Sequence, residues 1–421
     1  MSVALETPQQ LTVRTVALPD GRDLLTHLPE RTPLAWIRRG EGLVAWGEAA
    51  RLTLPAESDG SGAERFRAAA HWLSAIMSGA DIDDAVGLPG TGPVVFGGFT
   101  FDPGSPDSTL VLPRVIVGRR GGRTWLTTVC DRPGAHPSDI LTAMTPVRPV
   151  GPLHWSEGTL STPEWGDAVA SAVARIRGGD LDKVVLARDA HAEADSDIDA
   201  RALLARLTRD YADCYAFSVA GMVGATPELL IRREGDAVTS LVLAGTRPRG
   251  ATCERDGELA AELTGSDKDV EEHGYAVDSL RETLSPLCSA IEVSEEPELL
   301  RLANVQHLAS PVRATLLPGA STLDVVAAMH PTAAVGGTPT ATAMRVIREL
   351  EGMDRGRYAG PVGWVDAHGN GEWGIALRCA EIEGRRARLF AGCGIVAGSD
   401  PEAELAEADS KFRVMRGALT D

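Results

Sequence analysis

Residues 360 to 396 read GPVGWVDAHGNGEWGIALRCAEIEGRRARLFAGCGIV. The apolar runs in this stretch are separated by two short polar turns, at His368–Gly371 and at Glu383–Gly384. Apolar runs joined by short turns that contain glycine predict consecutive antiparallel strands. The stretch therefore predicts an antiparallel sheet rather than a series in which each strand is followed by a helix.

Helical patterns lie on both sides of this strand-rich stretch. Residues 161–179 begin with a serine or threonine N-cap, carry a proline in the first turn and end at two glycines. A second helix is predicted over residues 266–287, and a third begins at Pro401. The run LDKVVLAR, residues 181–188, predicts a buried strand. Helices mixed with antiparallel strands predict an α+β fold.

The composition is that of a globular protein with an acidic surface. Of the 421 residues, 43% are hydrophobic and 24% are charged, and the formal net charge is -18. A nucleic-acid partner is not expected, because binding to phosphates needs a basic face. An anionic substrate stays possible, because a bound cation and a few basic side chains can reverse the field inside a cleft.

Neither a secretory signal nor a membrane segment is apparent. Residues 1–10 lack the basic and apolar regions of a signal peptide, and no apolar run approaches the ~20 residues that span a bilayer. The cysteines form no CxxC pair and no zinc spacing, and we expect them to be reduced core thiols. These features predict a cytoplasmic protein without a membrane partner.

Two of the predicted helices carry acidic residues three positions apart. Asp269 and Glu272 share one helix face, Glu404 and Glu407 share another, and Lys411 lies four positions beyond Glu407. Mg²⁺ takes oxygen ligands, usually one or two carboxylates with water and substrate. From spacing alone two interpretations stay open: a site for one Mg²⁺, or a solvated acidic face of the kind most charge runs form.

Several motifs lie between Ser161 and Leu419, namely LDKVVLARD, GATPELLI, LVLAGTRPRG, SDKDVEEH, NVQHLAS, HPTAAVGGTPTATAM, RYAGPVGWVDAHGNGEWGIALRCAEI, LFAGCGIVAGSDPEAE and ADSKF. Together they resemble the motifs of the chorismate-utilising enzymes. That superfamily includes isochorismate, salicylate, anthranilate and aminodeoxychorismate synthases. The first 155 residues match weakly, apart from FGGFTFDP at residues 96–103.

The resemblance implies a particular architecture. It is an α/β/α sandwich with large, mainly antiparallel sheets on two lobes around a central cleft. Residues 1–421 are therefore expected to form a single two-lobed domain. Within it, residues 1–155 would be the variable part and residues 161–419 the catalytic part that carries the motifs.

The resemblance also implies roles for individual residues. Lys183 corresponds to the general base and Glu228 to the general acid on the opposite face of the substrate ring. Glu272 and Glu407 correspond to the two Mg²⁺ ligands, with Asp269 and Glu404 one step further out, through water. The residues matched to substrate binding are Thr246, His307, Tyr358, Arg378, Lys411 and the backbone amides of Gly392 and Gly394.

The reaction implied by this resemblance explains the residue types. Isochorismate forms when water adds at ring carbon C2 and the hydroxyl at C4 leaves, so one group must take a proton and another must give one. A lysine can act as a base only when its pKa falls below the free value of about 10.4. A glutamic acid can donate near neutrality when burial raises its pKa. Mg²⁺ and an arginine would each hold one carboxylate of chorismate.

Within the superfamily, the motifs look most like those of isochorismate synthases. Lys183 suggests water as the nucleophile, and Ala244 stands where aminodeoxychorismate synthases carry a lysine. Salicylate synthase, which also eliminates pyruvate, is the alternative, because Tyr358 and Leu377 resemble residues of that branch. A non-catalytic metal-binding homologue is a second alternative, against which the pair Lys183 and Glu228 argues.

The expected partners are small molecules. The resemblance implies chorismate and isochorismate as substrate and product, Mg²⁺ as cofactor, a monomer, and no glutaminase subunit. The product would feed menaquinone, siderophore or salicylate-derived metabolism, and the sequence leaves that choice open.

Overall fold

The computed structural model describes residues 11–19, 21–57, 62–131, 145–294, 296–301 and 305–420, apart from the side chains of residues 246, 268, 272 and 305. The helices of these ranges are α1 Ala63–Gly79, α2 Thr162–Arg177, α3 Ala200–Asp210, α4 Cys253–Thr264, α5 Asp267–Leu284, α6 Thr322–Met329, α7 Thr340–Leu350 and α8 Pro401–Thr420, with a short 3-10 helix at Leu24–His27. The strands are β1 Thr12–Ala17, β2 Leu34–Arg38, β3 Glu41–Trp46, β4 Ala50–Leu54, β5 Asp81–Asp84, β6 Val94–Gly98, β7 Ser108–Leu112, β8 Val115–Arg120, β9 Arg123–Cys130, β10 Leu153–Glu157, β11 Lys183–Ala194, β12 Tyr215–Val219, β13 Met222–Thr226, β14 Leu229–Glu234, β15 Ala237–Pro248, β16 Cys288–Val293, β17 Glu298–Arg301, β18 Val305–Leu316, β19 Gly337–Thr338, β20 Pro361–Asp366, β21 Gly371–Ile375, β22 Cys379–Glu383 and β23 Arg386–Ile395.

The strands form two large sheets. The larger sheet has the order β10-β11-β23-β22-β13-β12-β2-β3-β8-β9-β1-β5, with β19 paired to β11. The smaller has the order β16-β18-β15-β14-β21-β20-β6-β7-β4, with β17 paired to β18. In the described ranges, β1 and β5 are the one parallel pair. The prediction of mainly antiparallel sheets is therefore confirmed.

The two sheets meet face to face, and helices pack on the outside of each. Helices α2, α3, α7 and α8 contact the larger sheet, whereas α4, α5 and α6 contact the smaller one. The sheets are joined where Trp36 Nε1 on β2 donates to the Glu372 carboxylate on β21 at 2.7 Å. This arrangement confirms the predicted sandwich, whose central layer consists of two sheets.

Each sheet contains strands from both parts of the chain, in two contiguous blocks. Strands β2, β3, β8 and β9 extend the larger sheet beyond β12, and β6 and β7 extend the smaller one beyond β20. Residues before 155 therefore complete the two sheets that carry the motifs. That residues 1–421 form one two-lobed domain stays a prediction. No helix in the described ranges combines the length and the apolar character needed to cross a membrane.

Local sequence signals coincide with the ends of the elements. Ser161 caps α2 in a capping box with Glu164, and Gly178 follows its last turn. Helix α8 begins at Pro401, as predicted. The chain reverses between β20 and β21 and between β22 and β23, at the two polar turns that the sequence indicated.

A buried ion pair joins α7 to the strand that begins at Lys183. Glu351 and Arg355 are 1% and 2% exposed, and Arg355 Nε donates to Glu351 at 2.9 Å. Glu351 also accepts the amide of Ala187 on β11 at 2.7 Å, and Arg355 donates to the carbonyl of Val185 at 2.7 Å. Strand β11 is thus fixed by charge-assisted hydrogen bonds on both sides of Leu186.

Removal of one partner of this pair should destabilise the protein strongly. We expect Arg355→Met to lower the free energy of unfolding by about 3–5 kcal/mol, because Glu351 would remain buried without its counter-charge. Urea denaturation followed by circular dichroism measures the change.

The matched control is Arg348→Met. Its ion pair with Asp102 is 52% exposed on the arginine side, and its loss should cost less than about 1 kcal/mol. Equal losses in the two variants would contradict a special role for the buried pair.

Candidate active site

Lys183 lies at the start of β11, where two glycines of neighbouring segments approach it closely. Its carbonyl faces Gly337, whose φ is +139°, and a Cβ atom at Gly337 would lie 2.2 Å from that oxygen. On the neighbouring strand, a Cβ atom at Gly394 would lie 3.1 Å from Lys183 Cε. Glycine is required at Gly337 because no side chain fits there. Both glycines leave room for the lysine side chain.

Glu228 lies between β13 and β14, with its backbone fixed on both sides. Its amide donates to Thr226 Oγ1 at 3.2 Å, and its carbonyl accepts the amide of Ile375 at 3.1 Å. Burial raises the pKa of the Glu228 carboxyl to about 7, although the positive charges of Arg378, Lys183 and Lys411 act to lower it. A carboxyl group with this pKa can donate a proton near neutrality.

Four of the predicted site residues interact electrostatically. Lys183, Arg378 and Lys411 act on Glu228 although they belong to β11, the start of β22 and α8. Arg378 is half-buried with φ 48°, and its guanidinium forms no salt bridge with any carboxylate in the described part of the chain. A free guanidinium in this place is available to bind a carboxylate ligand.

Tyr358 and the end of β23 form the wall beside Arg378. The Tyr358 ring stacks on Phe390 with 5.0 Å between centroids, and a Cβ atom at Gly392 would lie 3.3 Å from the Tyr358 hydroxyl. Lys411 Nζ donates to the carbonyl of Gly392 at 2.6 Å. Within the described residues β22 pairs with β23 only as far as Leu389, so that one edge of Gly392–Gly394 has no neighbouring strand.

His307 and Thr246 lie opposite each other on β18 and β15. Burial, together with the positive charges of Arg378 and Lys411, lowers the pKa of His307 to about 4. The imidazole is therefore neutral at pH 7 and lies within reach of the same two cations. The Thr246 side chain falls outside the described residues, and its role stays a prediction.

Carboxylates of α8 gather beside this cationic region. One ligand atom each from Cys393, Glu404 and Glu407 lies within 4.8 Å of the others, and Lys411 Nζ is 2.6 Å from Glu407. Burial raises the pKa of Glu404, and the neighbouring charge of Glu407 acts in the same direction. Two carboxylates with open positions suit a hard divalent cation, and the residues present therefore fit a metal such as Mg²⁺.

The second acidic helix, α5, carries Asp269 and Glu272. Asp269 on α5 forms a salt bridge with Arg247 at 2.8 Å, so that its carboxylate is engaged by a protein cation. The Glu272 side chain lies outside the described residues. Its pairing with Glu407 around one ion, and the outer position assigned to Asp269, stay predictions. Glu404 belongs to the same cluster as Glu407.

The composition contains a signal for two of the candidate site residues. The chain has only three lysines among its 41 basic residues, and two of them, Lys183 and Lys411, meet at this site. Cys393, in contrast, has no spacing signal and was predicted to be a core thiol. All six cysteines are free, but Cys253 is exposed, and the core assignment is wrong for that residue.

Comparison with known proteins gives the family. A family model described as chorismate binding enzyme matches residues 30–420, and the chain belongs to that family. Its relatives place it in the isochorismate synthase branch. It is 37% identical to the salicylate biosynthesis isochorismate synthase of Pseudomonas aeruginosa, over 93% of this chain and 85% of that protein. It is 41% identical to isochorismate synthase DhbC of Bacillus subtilis, over 61% and 67% of the two chains.

Solved structures agree with this placement. The menaquinone-specific isochorismate synthase MenF of Escherichia coli superposes with a TM-score of 0.79 at 28% identity, over 99% of this chain and 97% of that one. Anthranilate synthase component I of Streptococcus pneumoniae superposes with a TM-score of 0.72 at 22% identity, over 94% and 95% of the two chains. The second likeness shows a common fold alone.

The raised pKa of Glu228 predicts a pH-dependent contribution to stability. In the unfolded chain this carboxyl titrates near 4.5, whereas in the folded protein it keeps its proton up to about pH 7. The stabilisation is complete below pH 4.5 and is lost as the pH rises through 7. The side chain of Glu228→Gln cannot ionise. The free energy of unfolding of this variant, relative to that of the wild type, should therefore rise by roughly 1–2 kcal/mol between pH 5 and pH 8.

Urea denaturation of both proteins at the two pH values measures this gain. If the stability difference between them were the same at pH 5 and pH 8, Glu228 would not be the titrating group.

Proposed function

We propose that this protein converts chorismate to isochorismate, with Lys183 as the general base and Glu228 as the general acid. The observation that carries this proposal is the placement of the Lys183 and Arg378 charges around a carboxyl group whose pKa is about 7. A base and an acid that act on opposite faces of one substrate ring must both lie beside the cleft that holds the ring. The isochorismate synthase relatives support the same reaction.

Each proton transfer is assigned to one residue. To act as the base, Lys183 must first release its ammonium proton to solvent, and its amine then takes a proton from water as the water oxygen bonds to C2. The ring double bonds shift, the C4–oxygen bond breaks, and the Glu228 carboxyl protonates the leaving hydroxyl, which departs as water. The resulting ammonium and carboxylate then exchange protons with solvent, and both groups return to their starting state.

The substrate's two carboxylates are held by different parts of the site. One of them would be bound by the groups near the open edge of β23, which are Arg378, Tyr358, Lys411 and the amides of Gly392 and Gly394. Mg²⁺ held by Glu407 and Glu272, with Glu404 and Asp269 one step further out through water, would supply positive charge to the other. His307 and Thr246 would line the cleft between the sheets.

The protein would act on a small molecule without a further subunit. We expect a cytoplasmic monomer that needs no glutaminase, because water is the nucleophile in this reaction. Size-exclusion chromatography with light scattering tests the oligomeric state, and unchanged turnover in the absence of any ammonia source tests the nucleophile.

Product analysis tests the reaction itself. Purified protein with chorismate and Mg²⁺ should bring chorismate and isochorismate towards equilibrium, as followed by NMR, and EDTA should abolish the conversion. Salicylate and pyruvate as products would assign salicylate synthase instead, the alternative raised by Tyr358 and Leu377. Absence of turnover with either water or ammonia would favour a non-catalytic homologue.

Substitution of Lys183 separates its charge from its role as a base. We expect Lys183→Ala and Lys183→Arg both to lower kcat by about 10²–10⁴-fold, because an arginine stays protonated and cannot accept the proton. The change is measured as initial rates of isochorismate formation. Lys183→Arg keeps a positive charge near Glu228, and substantial activity in that variant would show that charge rather than proton transfer is required.

A further inference from the structure

We infer that Cys393 makes the carboxylate cluster of α8 a site for thiophilic divalent ions such as Zn²⁺, bound by the Cys393 sulfur with Glu404 and Glu407. The inference rests on the proposed function only in its use of the same carboxylates. Cys393 is 0% exposed, and its sulfur lies within 4.8 Å of a ligand oxygen of each glutamate. A buried sulfur therefore faces a pair of carboxylates.

The position of this sulfur is set by two rigid elements. Cys393 lies in β23, paired with Leu186 of β11, and both glutamates lie in the first two turns of α8. The Cys393 thiol donates to the Glu404 carbonyl at 3.3 Å, and Lys411 Nζ is 3.9 Å from the sulfur. Because a strand and a helix carry the three donors, their convergence does not depend on a loop.

The donor set distinguishes hard cations from soft ones. Mg²⁺ binds oxygen ligands almost exclusively and would use the carboxylates alone. Zn²⁺ takes thiolate and carboxylate together, and a sulfur ligand favours it over Mg²⁺. On binding, the thiol releases one proton to solvent as the sulfur–metal bond forms, and the ammonium of Lys411 gives up its contact with Glu407. A thiophilic ion would then compete with Mg²⁺ for this site.

Titration with Co²⁺ gives a direct test, because a cobalt–thiolate bond produces a charge-transfer band in the near ultraviolet. The full-length metal-free wild-type protein should develop this band in proportion to bound Co²⁺. Cys393→Ser should lose it and bind Zn²⁺ at least about tenfold more weakly, because the sulfur donor is gone. Its affinity for Mg²⁺ should stay within about twofold, because Mg²⁺ does not depend on that sulfur.

The matched control is Cys253→Ala, which removes an exposed cysteine of α4. The band should persist in this variant. A wild-type protein without the band would overturn the inference, as would a band that survives in Cys393→Ser and vanishes in Cys253→Ala. Circular dichroism verifies the fold of each variant, and Cys393→Ala serves as a second variant if Cys393→Ser is unstable.

The spectroscopic result separates this inference from the proposed function. A protein that makes isochorismate with Mg²⁺ but shows no cobalt–thiolate band would retain the function and refute the role of Cys393. A protein that shows the band but forms no isochorismate would retain the metal site and refute the proposed reaction.

Discussion

The buried pair of Glu351 and Arg355 is the interaction on which the site depends most. Its two charges have almost no contact with solvent, and their remaining hydrogen-bonding groups are satisfied by backbone groups of β11 and by the carbonyl of Val335. Arg355 also lies over the ring of Phe101 at 4.1 Å from its centroid. A single ion pair thus holds together the strand of Lys183, the segment that leads to Gly337 and the FGGFTFDP motif.

This arrangement explains why the weakly matching N-terminal part retains one recognisable motif. Phe101 contacts Arg355, and its carbonyl accepts a hydrogen bond from His330 at 3.0 Å. Burial lowers the pKa of His330 to about 3, so that this imidazole stays neutral and serves as a fixed hydrogen-bond donor. Through Arg355, the motif therefore helps to hold strand β11 in place.

The site places opposite charges in adjacent regions of an acidic protein. Lys183, Arg378 and Lys411 act electrostatically on Glu228, whereas Glu404 and Glu407 lie in the turns of α8 that precede Lys411. Lys411 belongs to both regions, because it contacts Glu407 and acts on Glu228. A dicarboxylate substrate with a bound cation would match this pattern, because the basic side chains attract its carboxylates and the two glutamates attract the cation.

The sequence by itself determined the local elements and named the candidate site residues. Caps such as Ser161 and turns such as His368–Gly371 act over a few residues, and the motifs named Lys183, Glu228 and Arg378 without any knowledge of distance. Only the tertiary structure decided what surrounds these groups. The salt bridge of Asp269 with Arg247, the pKa of Glu228 and the sulfur of Cys393 beside Glu404 all depend on contacts between separate elements. Burial and Coulomb interactions are set by distance in space, and residue spacing along the chain does not encode that distance.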